Sequence, residues 1–528
     1  MRRLLAVLTA GVLPVCARAQ TQPDTTSTLR GVEIRRLNIF SPEEATSFLP
    51  RLANSLHATT RAGVVRRELL LSAGAPYDSL AAAETARNLR SLGIFRWVSV
   101  DSIRRDTGLV LRVTTADGWS TRPDIRFRST GSSIIYTVSI EERNFLGTAT
   151  LIGARYQKTP DRSSVTMSFR QSRLLAGRVG LAAQYVDRSD GRQLYAGLSK
   201  PFFSLGTRSS WRVDGEDREE RILRFFDGSD VAGDTLQRRY SLGYGAAALA
   251  LRASPAGYLR VGVTAQIRRD DYAVESRVDT LAHTVTGAVG GFLQWRRARF
   301  LVSRGLEGFG RVEDVDVSTL IQAGMVASPK LFGYDDDGIV PHLVARTGFG
   351  TPTRFVQLGF TGSGRFTSAG LDSGSVHLSA TAFVLPARRH LAVFHAGTGW
   401  QERPAPGAEF DLGLGIGPRG FRQHAFTGDR AFFTTAEYRY TLAEDFLKLS
   451  AVGIAAFADY GGAWYRGTPR RTGWDAGVGF RFGFTRSTDI ESNRVDFAYR
   501  GGNDAQPGGW VLVIAKGFAF SSSGRLDQ

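Results

Sequence analysis

The stretch DLGLGIGPRGFRQHAFTGDRAFFTTAEYRY, residues 411–440, says more about the fold than any other part of the chain. Its first half is rich in glycine and contains the tetrapeptide PRGF at residues 418–421. Its second half alternates apolar and polar residues over 432–440, which predicts a β-strand. Long connections without regular structure are usually functional or disordered. We therefore expect a functional loop followed by a strand.

Alternation of this kind extends over most of the chain from Ser133 onward. Residues 164–170, 473–484 and 494–500 each place apolar side chains at every second position, with Arg, Asp, Ser or Gly between them. Segments of about ten such residues, separated by Gly, Asp and Pro turns, are typical of strands that face lipid on one side and a lumen on the other. A sheet with one face in water would alternate in the same way, and this alternative stays open.

Length and composition agree with a large β-domain preceded by a small module. The chain has 528 residues, of which 60 are Gly and 11% are aromatic, with a mean hydropathy of −0.15. After residue 20 no run of about 18 apolar residues occurs, which excludes a helical membrane protein. Counting the alternating segments up to Phe520 gives about 16 to 18 strands. Residues 220–350 are poorly patterned and are expected to hold long external loops, such as 216–237.

The glycine-rich loop and the Glu437-x-Arg439 strand together resemble the barrel domain of the BamA/TamA superfamily of outer-membrane proteins (the bacterial surface antigen barrels). Residues 144–147 resemble the first hairpin of that family and residues 200–203 an early strand end, and residues 457–461 extend the resemblance. The resemblance implies an antiparallel transmembrane β-barrel of about 16 strands over residues 120–520, in the outer membrane of a diderm bacterium. It also implies that the loop folds back into the barrel lumen.

A seam between the first and last strands is a further feature that the resemblance implies. The first strand is expected near Ser133. The last is expected over 510–520, with Trp510, Phe518 and Phe520 on one face. An eight-residue tail, 521–528, follows and leaves open whether Phe520 is the element recognised during assembly.

The N-terminus has the pattern of a secretory signal peptide over residues 1–19. Two arginines precede an apolar run, and Ala17-Arg18-Ala19 provides small residues for cleavage. The single cysteine, Cys16, lies inside this segment. Cleavage after Ala19 would leave a chain without thiol chemistry, although lipidation of Cys16 is an alternative. Residues 20–30 are polar and are expected to be a disordered lead-in.

Residues 31–119 alternate between helical and strand patterns and predict a small α+β domain. One helix is expected to start at Ser41, and a second is expected over 64–71, closed by Gly74. The segment 64–103 resembles a POTRA (polypeptide-transport-associated) domain, whose helix ends Leu-x-x-x-Gly-x-Phe-x-x-Val, and the resemblance covers roughly residues 31–116. The residues that carry this resemblance are Gly74, Leu89, Gly93, Phe95 and Val98. A helical insertion at 41–60 departs from the family pattern. The resemblance implies a periplasmic location and a sheet edge that binds extended protein substrates or an envelope partner.

Arg419 is the candidate functional residue of the loop. If the loop enters the lumen, the guanidinium leaves bulk water and needs a partner. Asp459, in an apolar strand, is the expected partner through two parallel hydrogen bonds. Gly420 would allow a sharp turn, and Phe421 would pack against glycines of the wall. Glu437 and Arg439 would extend the network. The alternative is that all these charges belong to an ordinary wet lumen.

The distribution of charge along the chain indicates which kinds of partner to expect. The formal net charge is +17, but the arginines are scattered along alternating segments and form no single basic stripe. We therefore expect no nucleic-acid binding. The charges instead suit a lumen or contact with outer-membrane lipids and lipopolysaccharide. The seven histidines show no metal-ligand spacing and no nucleophile–base motif is found, so neither an enzyme nor a cofactor is expected.

Three functions remain in view. The first is assistance with insertion or translocation of unfolded outer-membrane or secreted proteins. The second is a passive or plugged channel, or a structural barrel. The third is a secretion pore dedicated to one passenger protein.

Overall fold

The computed structural model describes residues 28–520 except 107, 131–132, 175–177, 227, 230, 275–279, 414–415, 448, 486–490 and 503–505. The predicted signal peptide 1–19, most of the lead-in and the tail 521–528 lie outside the described residues. Within the described ranges, no helix is long and apolar enough to cross a membrane.

The N-terminal domain is a three-stranded sheet with helices packed on it. Its elements are β1 Leu29–Leu37, α1 Phe48–Leu56, α2 Ala62–Glu68, α3 Ser79–Ser91, β2 Phe95–Arg105 and β3 Gly108–Asp117. β3 lies in the centre, parallel to β1 and antiparallel to β2. The core joins apolar residues of α2 and α3 to the sheet. Leu29 is fully buried in this core. The prediction that the disordered lead-in reaches residue 30 is therefore wrong.

Two helix predictions in this domain need correction. Ser41 and Glu44 form a capping box, in which the Ser41 N–H donates to Glu44 Oε2 at 3.0 Å. This capping box stabilises a turn and starts no helix, because the weak helix formers Thr46 and Ser47 follow it. The helix α1 begins only at Phe48. The helix expected over 64–71 ends at Glu68. In contrast, α3 begins at a capped position, where Asp78 accepts hydrogen bonds from the N–H groups of Leu80 and Ala81.

The rest of the chain builds a closed antiparallel barrel with a few inserted elements. In chain order the strands are β4 Thr121–Thr130, β5 Ser133–Glu142, β6 Thr150–Lys158, β7 Ser163–Leu174, β8 Val179–Arg188, β9 Gly191–Lys200, β10 Ser209–Arg224, β11 Asp234–Ser254, β12 Gly257–Val274, β13 Thr280–Arg297, β14 Phe300–Arg304, β15 Val312–Asp316, β16 Thr319–Ser328, β17 Gly338–Thr351, β18 Arg354–Thr367, β19 Gly370–Val384, β20 His390–Glu402, β21 Phe410–Leu412, β22 Phe426–Gly428, β23 Arg430–Phe446, β24 Ser450–Trp464, β25 Gly473–Phe484, β26 Asn493–Arg500 and β27 Gly509–Lys516. Short 3-10 turns occur at Phe145–Gly147 and Lys330–Phe332.

The barrel has 20 strands, and the expected count of about 16 is wrong. β14 and β15 form a separate hairpin, as do β21 and β22, and the other strands from β4 to β27 form the wall. The first wall strand is β4, one strand before the one expected near Ser133. The barrel closes where β27 is hydrogen-bonded to β4, and we call this junction the seam.

The expected long loop 216–237 is largely strand. β10 and β11 pair without interruption from Ser209↔Leu249 to Arg224↔Asp234. Apolar alternation fails here because both faces carry charges, including the cross-strand pairs Arg239–Glu219 at 3.6 Å and Arg238–Glu220 at 3.6 Å. A wall segment with polar residues on both faces suits a part of the barrel that extends beyond lipid.

Wall strands place apolar side chains outside and polar ones inside. On β25, Trp474, Val478 and Phe480 are exposed, whereas Asp475 and Arg481 point into the lumen and are buried. A closed wall satisfies every strand edge, and an apolar exterior is stable only in lipid. The barrel therefore has the construction of a membrane-spanning one.

The two mouths of the barrel differ in what covers them. We call the mouth beside the N-terminal domain the near mouth, and the opposite one the far mouth. A hairpin of β14 and β15, residues 298–318, folds from the near mouth into the lumen, and we call it the plug hairpin. Its Phe309 ring lies against two wall glycines, Gly453 and Gly483. The N-terminal domain docks on it through Arg90, whose Nε and Nη2 donate to Asp314 at 2.5 and 2.9 Å.

The expected final strand 510–520 is also corrected. β27 ends at Lys516, and Gly517 adopts a positive φ of 69° that turns the chain inward. Phe518 and Phe520 consequently pack inside the barrel, where Phe520 stacks on His395 with ring centroids 4.2 Å apart. Trp510 is exposed on the outside, so these aromatic residues do not share a face.

Candidate functional site: a charged cluster in the barrel lumen

The chain between β20 and β23, residues 403–429, enters the lumen from the far mouth, and we call it the lumen loop. The β21–β22 hairpin stiffens its base. Apolar residues of the loop form a buried cluster with the wall, including Phe410, Phe421 and Phe426. Outside this cluster the loop is braced to neighbouring loops, since Thr427 Oγ1 donates to Phe225 O at 2.8 Å and Gln506 Oε1 accepts from Arg422 N at 3.0 Å.

Arg419 lies at the inner end of the lumen loop and is only 2% exposed. Its Nε and Nη2 donate to the two carboxylate oxygens of Asp459 at 2.7 and 3.2 Å. Its Nη1 donates to Glu437 at 3.0 Å and to Asp496 at 3.1 Å. The guanidinium carbon lies 3.7 Å from the centre of the Phe457 ring. One side chain of the loop is thus bonded to three wall carboxylates.

Gly420 and Phe421 fit the wall closely. The Gly420 N–H donates to Asp475 Oδ2 at 2.8 Å, and a Cβ at Gly420 would lie 3.1 Å from the Asp475 Cβ. Phe421 is fully buried. A Cβ on Gly473 would lie 2.3 Å from the Phe421 ring, so the ring occupies space that only glycine leaves free.

Further charges balance those that Arg419 contacts. Arg439 Nε donates to Glu437 at 2.5 Å, and Arg481 Nη2 lies 3.1 Å from the same carboxylate. Asp496 is also bonded by Arg481 and Arg494. The charged cluster therefore contains four arginines and four carboxylates, all buried, which are Arg419, Arg439, Arg481, Arg494, Glu437, Asp459, Asp475 and Asp496. Buried charges on this scale are tolerated only when they are paired.

The charged cluster also reaches the plug hairpin. Arg439 Nη1 donates to Leu306 O of the hairpin at 3.4 Å and to Ser492 Oγ at 3.4 Å. Its guanidinium carbon lies 4.0 Å from the centre of the Phe518 ring. The loop from the far mouth and the hairpin from the near mouth therefore bind the same cluster.

The structure brings together all six residues that the sequence assigned to the lumen loop and its partners. Sequence reasoning did not assign Asp475, Arg481, Arg494 or Asp496 to the site. Each of them occupies an inward position of an alternating strand, so the alternation itself carried the missing signal. The functional role of the cluster stays a prediction.

The other predicted residues occupy separate places. Leu89, Phe95 and Val98 are buried in the core of the N-terminal domain. Gly93 has a positive φ of 64° just after α3. Gly74 has a φ of 85° but lies in a turn six residues beyond α2, so it does not close that helix. Trp510 is on the outer wall, whereas Phe518 and Phe520 line the lumen near the charged cluster.

His424 forms a second polar contact of the lumen loop, at the far mouth. Its Nδ1 lies 2.6 Å from Asp411 and its Nε2 lies 3.0 Å from Asp161. Its ring stacks on Phe225 with centroids 3.5 Å apart. Burial lowers the pKa of His424, but hydrogen bonds to the two carboxylates outweigh burial and raise the pKa to about 9. The imidazolium thus fastens the loop to the β6–β7 connection.

Among the residues that the structure describes, no three His, Cys, Asp or Glu side chains converge as metal ligands would. The lumen site is a network of ion pairs and hydrogen bonds. That the chain is not an enzyme and needs no cofactor stays a prediction.

Comparison with known proteins finds structural likenesses of low sequence identity. No protein-family model and no curated protein sequence matches it. CdiB from Escherichia coli is similar over 93% of this chain and 76% of its own, with 13% identity and a TM-score of 0.48. CdiB from Acinetobacter baumannii is similar over 93% and 73%, with 10% identity and a TM-score of 0.46. BamA from Haemophilus ducreyi lacking POTRA domains 1–3 is similar over 92% and 84%, with 10% identity and a TM-score of 0.35. These likenesses assign no residue role to the present chain.

Proposed function

We propose that the chain is an outer-membrane protein of the BamA/TamA superfamily that assists the insertion or translocation of other proteins. The observation that carries this proposal is the lumen loop, which is held by the Arg419 ion pairs inside a closed barrel. A loop bonded to three buried carboxylates obstructs free diffusion through the lumen. The barrel is therefore better suited to working on substrates at its wall or by regulated opening than to serving as an open pore.

The seam supports a role at the wall. A transmembrane strand needs about 9–11 residues to cross a bilayer, whereas β26 and β27 each have 8 residues. On the opposite side β11 has 21 residues. Lys516 of β27 lies 3.5 Å from Asp124 of β4, so an ion pair spans the seam. If β27 and β4 separate, each exposes unpaired backbone groups that a nascent strand can bind.

The N-terminal domain would supply the substrate contact. We propose that it is a single POTRA domain in the periplasm, on the strength of the buried Leu89, Phe95 and Val98 pattern and the β1-β3-β2 sheet. β1 and β2 are the edge strands of that sheet. An extended protein segment or an envelope partner could add to such an edge through backbone hydrogen bonds. Lipopolysaccharide and outer-membrane lipids would surround the barrel.

Depletion of the protein tests its role. We expect the outer-membrane proteome to lose several barrel or surface proteins. Loss of a single surface protein would instead identify a dedicated secretion pore. An unchanged proteome would contradict assistance in either form.

A crosslink at the seam tests the mechanism. Cysteines at Asp124 and Lys516, joined by a short thiol crosslinker, should block the function while the barrel remains folded. The matched control joins Gln294 and Gln322, which face each other on β13 and β16 with 2.9 Å between their amides. Equal activity of both crosslinked proteins would exclude opening at the seam.

Conductance across planar bilayers distinguishes the passive-channel alternative. A barrel occluded by the lumen loop should give small, flickering currents. Large and steady currents from the wild-type protein would favour a channel.

A further inference from the structure

Helix α1 carries an apolar stripe that faces away from the protein. Phe48, Leu52 and Leu56 recur at every fourth residue and so lie along one side of the helix. Their side chains are 68%, 38% and 69% exposed. A surface helix normally turns its apolar stripe toward the core. The reversed orientation of α1 therefore calls for something outside the domain that covers the stripe.

The opposite side of α1 is fixed to the domain by polar contacts. Asn54 Oδ1 accepts the Phe40 N–H at 3.0 Å, and Asn54 Nδ2 donates to Phe40 O at 2.9 Å. These paired bonds set the rotation of the helix about its own axis. The exposure of the stripe is thus a consequence of how the helix is held.

The chain that follows α1 is attached to the barrel close to the seam. The Arg61 N–H donates to Gly147 O at 2.9 Å, and Asn144 Nδ2 donates to Ala58 O at 3.4 Å. Both wall residues belong to the near-mouth turn between β5 and β6, and β5 pairs with the seam strand β4. The end of α1 thus lies only two residues from a contact with the rim of the barrel.

The rim beside α1 is apolar too. Phe145 and Leu146 in the β5–β6 turn are exposed. On the adjoining strand β5, Val138 and Ile140 of the outer face are also exposed. The chain after α1 is therefore bonded to a part of the rim where the apolar, lipid-facing surface of the barrel begins.

We propose that α1 lies in the periplasmic leaflet of the outer membrane, with its stripe among phospholipid acyl chains. This inference depends on the membrane placement in the proposed function. An amphipathic helix of this kind inserts its apolar face at the boundary of headgroups and acyl chains. Arg51 lies on the exposed flank of the stripe, where it can meet anionic headgroups. With nine residues the helix is about 13 Å long, which is too short to span the bilayer.

Such an anchor would hold the N-terminal domain on the seam side of the barrel. The domain would then be attached to the membrane through α1, in addition to its contacts with the plug hairpin through Arg90 and with the β5–β6 turn through Arg61. Loss of the Arg90–Asp314 ion pair alone would then leave the domain beside the seam.

Depth-dependent fluorescence quenching tests the anchor in the full chain. The only cysteine of the sequence is Cys16, in the predicted signal peptide, so a single label can be introduced by Ser55→Cys beside the stripe. The labelled protein is folded into phosphatidylethanolamine–phosphatidylglycerol vesicles that contain lipids with brominated acyl chains. We expect strong quenching at this position. The control is Ser102→Cys, exposed on β2 of the same domain, which should remain unquenched.

A paired substitution separates membrane contact from mere exposure. Leu52→Glu combined with Leu56→Glu should reduce quenching at position 55 to the level of the control position. Leu80→Glu, at an exposed leucine of α3, should leave it unchanged. Heat resistance of the barrel should be the same in all variants, because none of these side chains is in a core.

Three results would overturn the anchor. These are an unquenched label at position 55 in a folded barrel, quenching that survives the paired substitution, and crosslinking through position 55 to a second copy or to another protein. Failure of the proposed function is separate from these results. An unchanged outer-membrane proteome on depletion, with strong quenching at position 55, would refute assistance in protein insertion and still support the anchor.

Discussion

Arg419→Ala is the most informative single substitution in this protein. Glu437 would keep Arg439 and Arg481 as partners, and Asp496 would keep Arg481 and Arg494. Asp459 would lose its cation, since Arg419 is the one cation bonded to it among the described residues; the Thr435 hydroxyl at 2.6 Å and the backbone N–H of position 419 at 3.2 Å would remain. The free-energy change therefore arises mainly at one carboxylate.

Removal of one partner from a buried ion pair costs about 3–5 kcal/mol. In a domain of this size that loss lowers the melting temperature by about 4–6 °C. Heat-modifiable migration of the folded barrel in gels measures this shift. External trypsin measures release of the lumen loop, because Arg422 becomes an accessible cleavage site once the loop leaves the lumen. Arg403→Ala, at an exposed arginine of the same loop, is the matched control and should change neither result.

A double-mutant cycle isolates the ion pair itself. Asp459→Ala should destabilise the barrel by a similar amount, and the double variant should be less unstable than the sum of the two single effects. Arg419→Lys should restore only part of the stability because an ammonium group cannot make the two parallel hydrogen bonds. Additive single effects, or trypsin cleavage of the wild-type loop after Arg422, would refute the reasoning.

Three further predictions concern other contacts. Gly473→Val should release the lumen loop to external protease because its side chain would occupy the space of the Phe421 ring; a protected loop would contradict this close fit. Asp314→Ala should increase hydrogen exchange in α3 by removing the partner of Arg90, and exchange equal to that of the wild type would show that the ion pair does not hold the domain. The pKa of His424 is raised to about 9, so its stabilisation is complete below its ordinary value of about 6.5 and is lost as the pH rises through 9. Proteolysis of the loop should increase over that range in the wild type but not in His424→Gln, and a pH-independent wild type would contradict the assignment.

The alternation of residues predicted the strands and their inward-facing charges, whereas the closed barrel was predicted from the resemblance to the BamA/TamA superfamily. The alternation was not sufficient to count the strands. In the parts of β10 and β11 nearest the far mouth, both faces of the strands carry charges. The alternation that marks a lipid-facing strand is therefore absent there, although the hydrogen-bonded pairing of the two strands continues. The first strand, β4, was missed for a related reason: Arg122, Asp124, Arg126 and Arg128 outnumber its outward apolar residues.

Long-range contacts limited the remaining predictions. Arg419 and Asp459 could be paired because each is unusual in its own segment. The plug hairpin could not be predicted, since β14 and β15 have the composition of ordinary wall strands and only the pairing of β13 with β16 excludes them from the wall. The inward turn after Lys516 depends on Gly517, a residue that is equally compatible with a continuing strand.

The plug hairpin and the lumen loop share the charged cluster, and this has a thermodynamic consequence. Glu437 is bonded to Arg419 of the loop and to Arg439, which in turn binds Leu306 of the hairpin. Withdrawal of either element changes the electrostatic environment of the residue that holds the other. By linkage, a molecule that binds more tightly when the plug hairpin is withdrawn must also change how strongly the lumen loop binds to the charged cluster. Withdrawal of the lumen loop must change the affinity for that molecule by the same factor. We therefore expect binding events at the two mouths to influence each other.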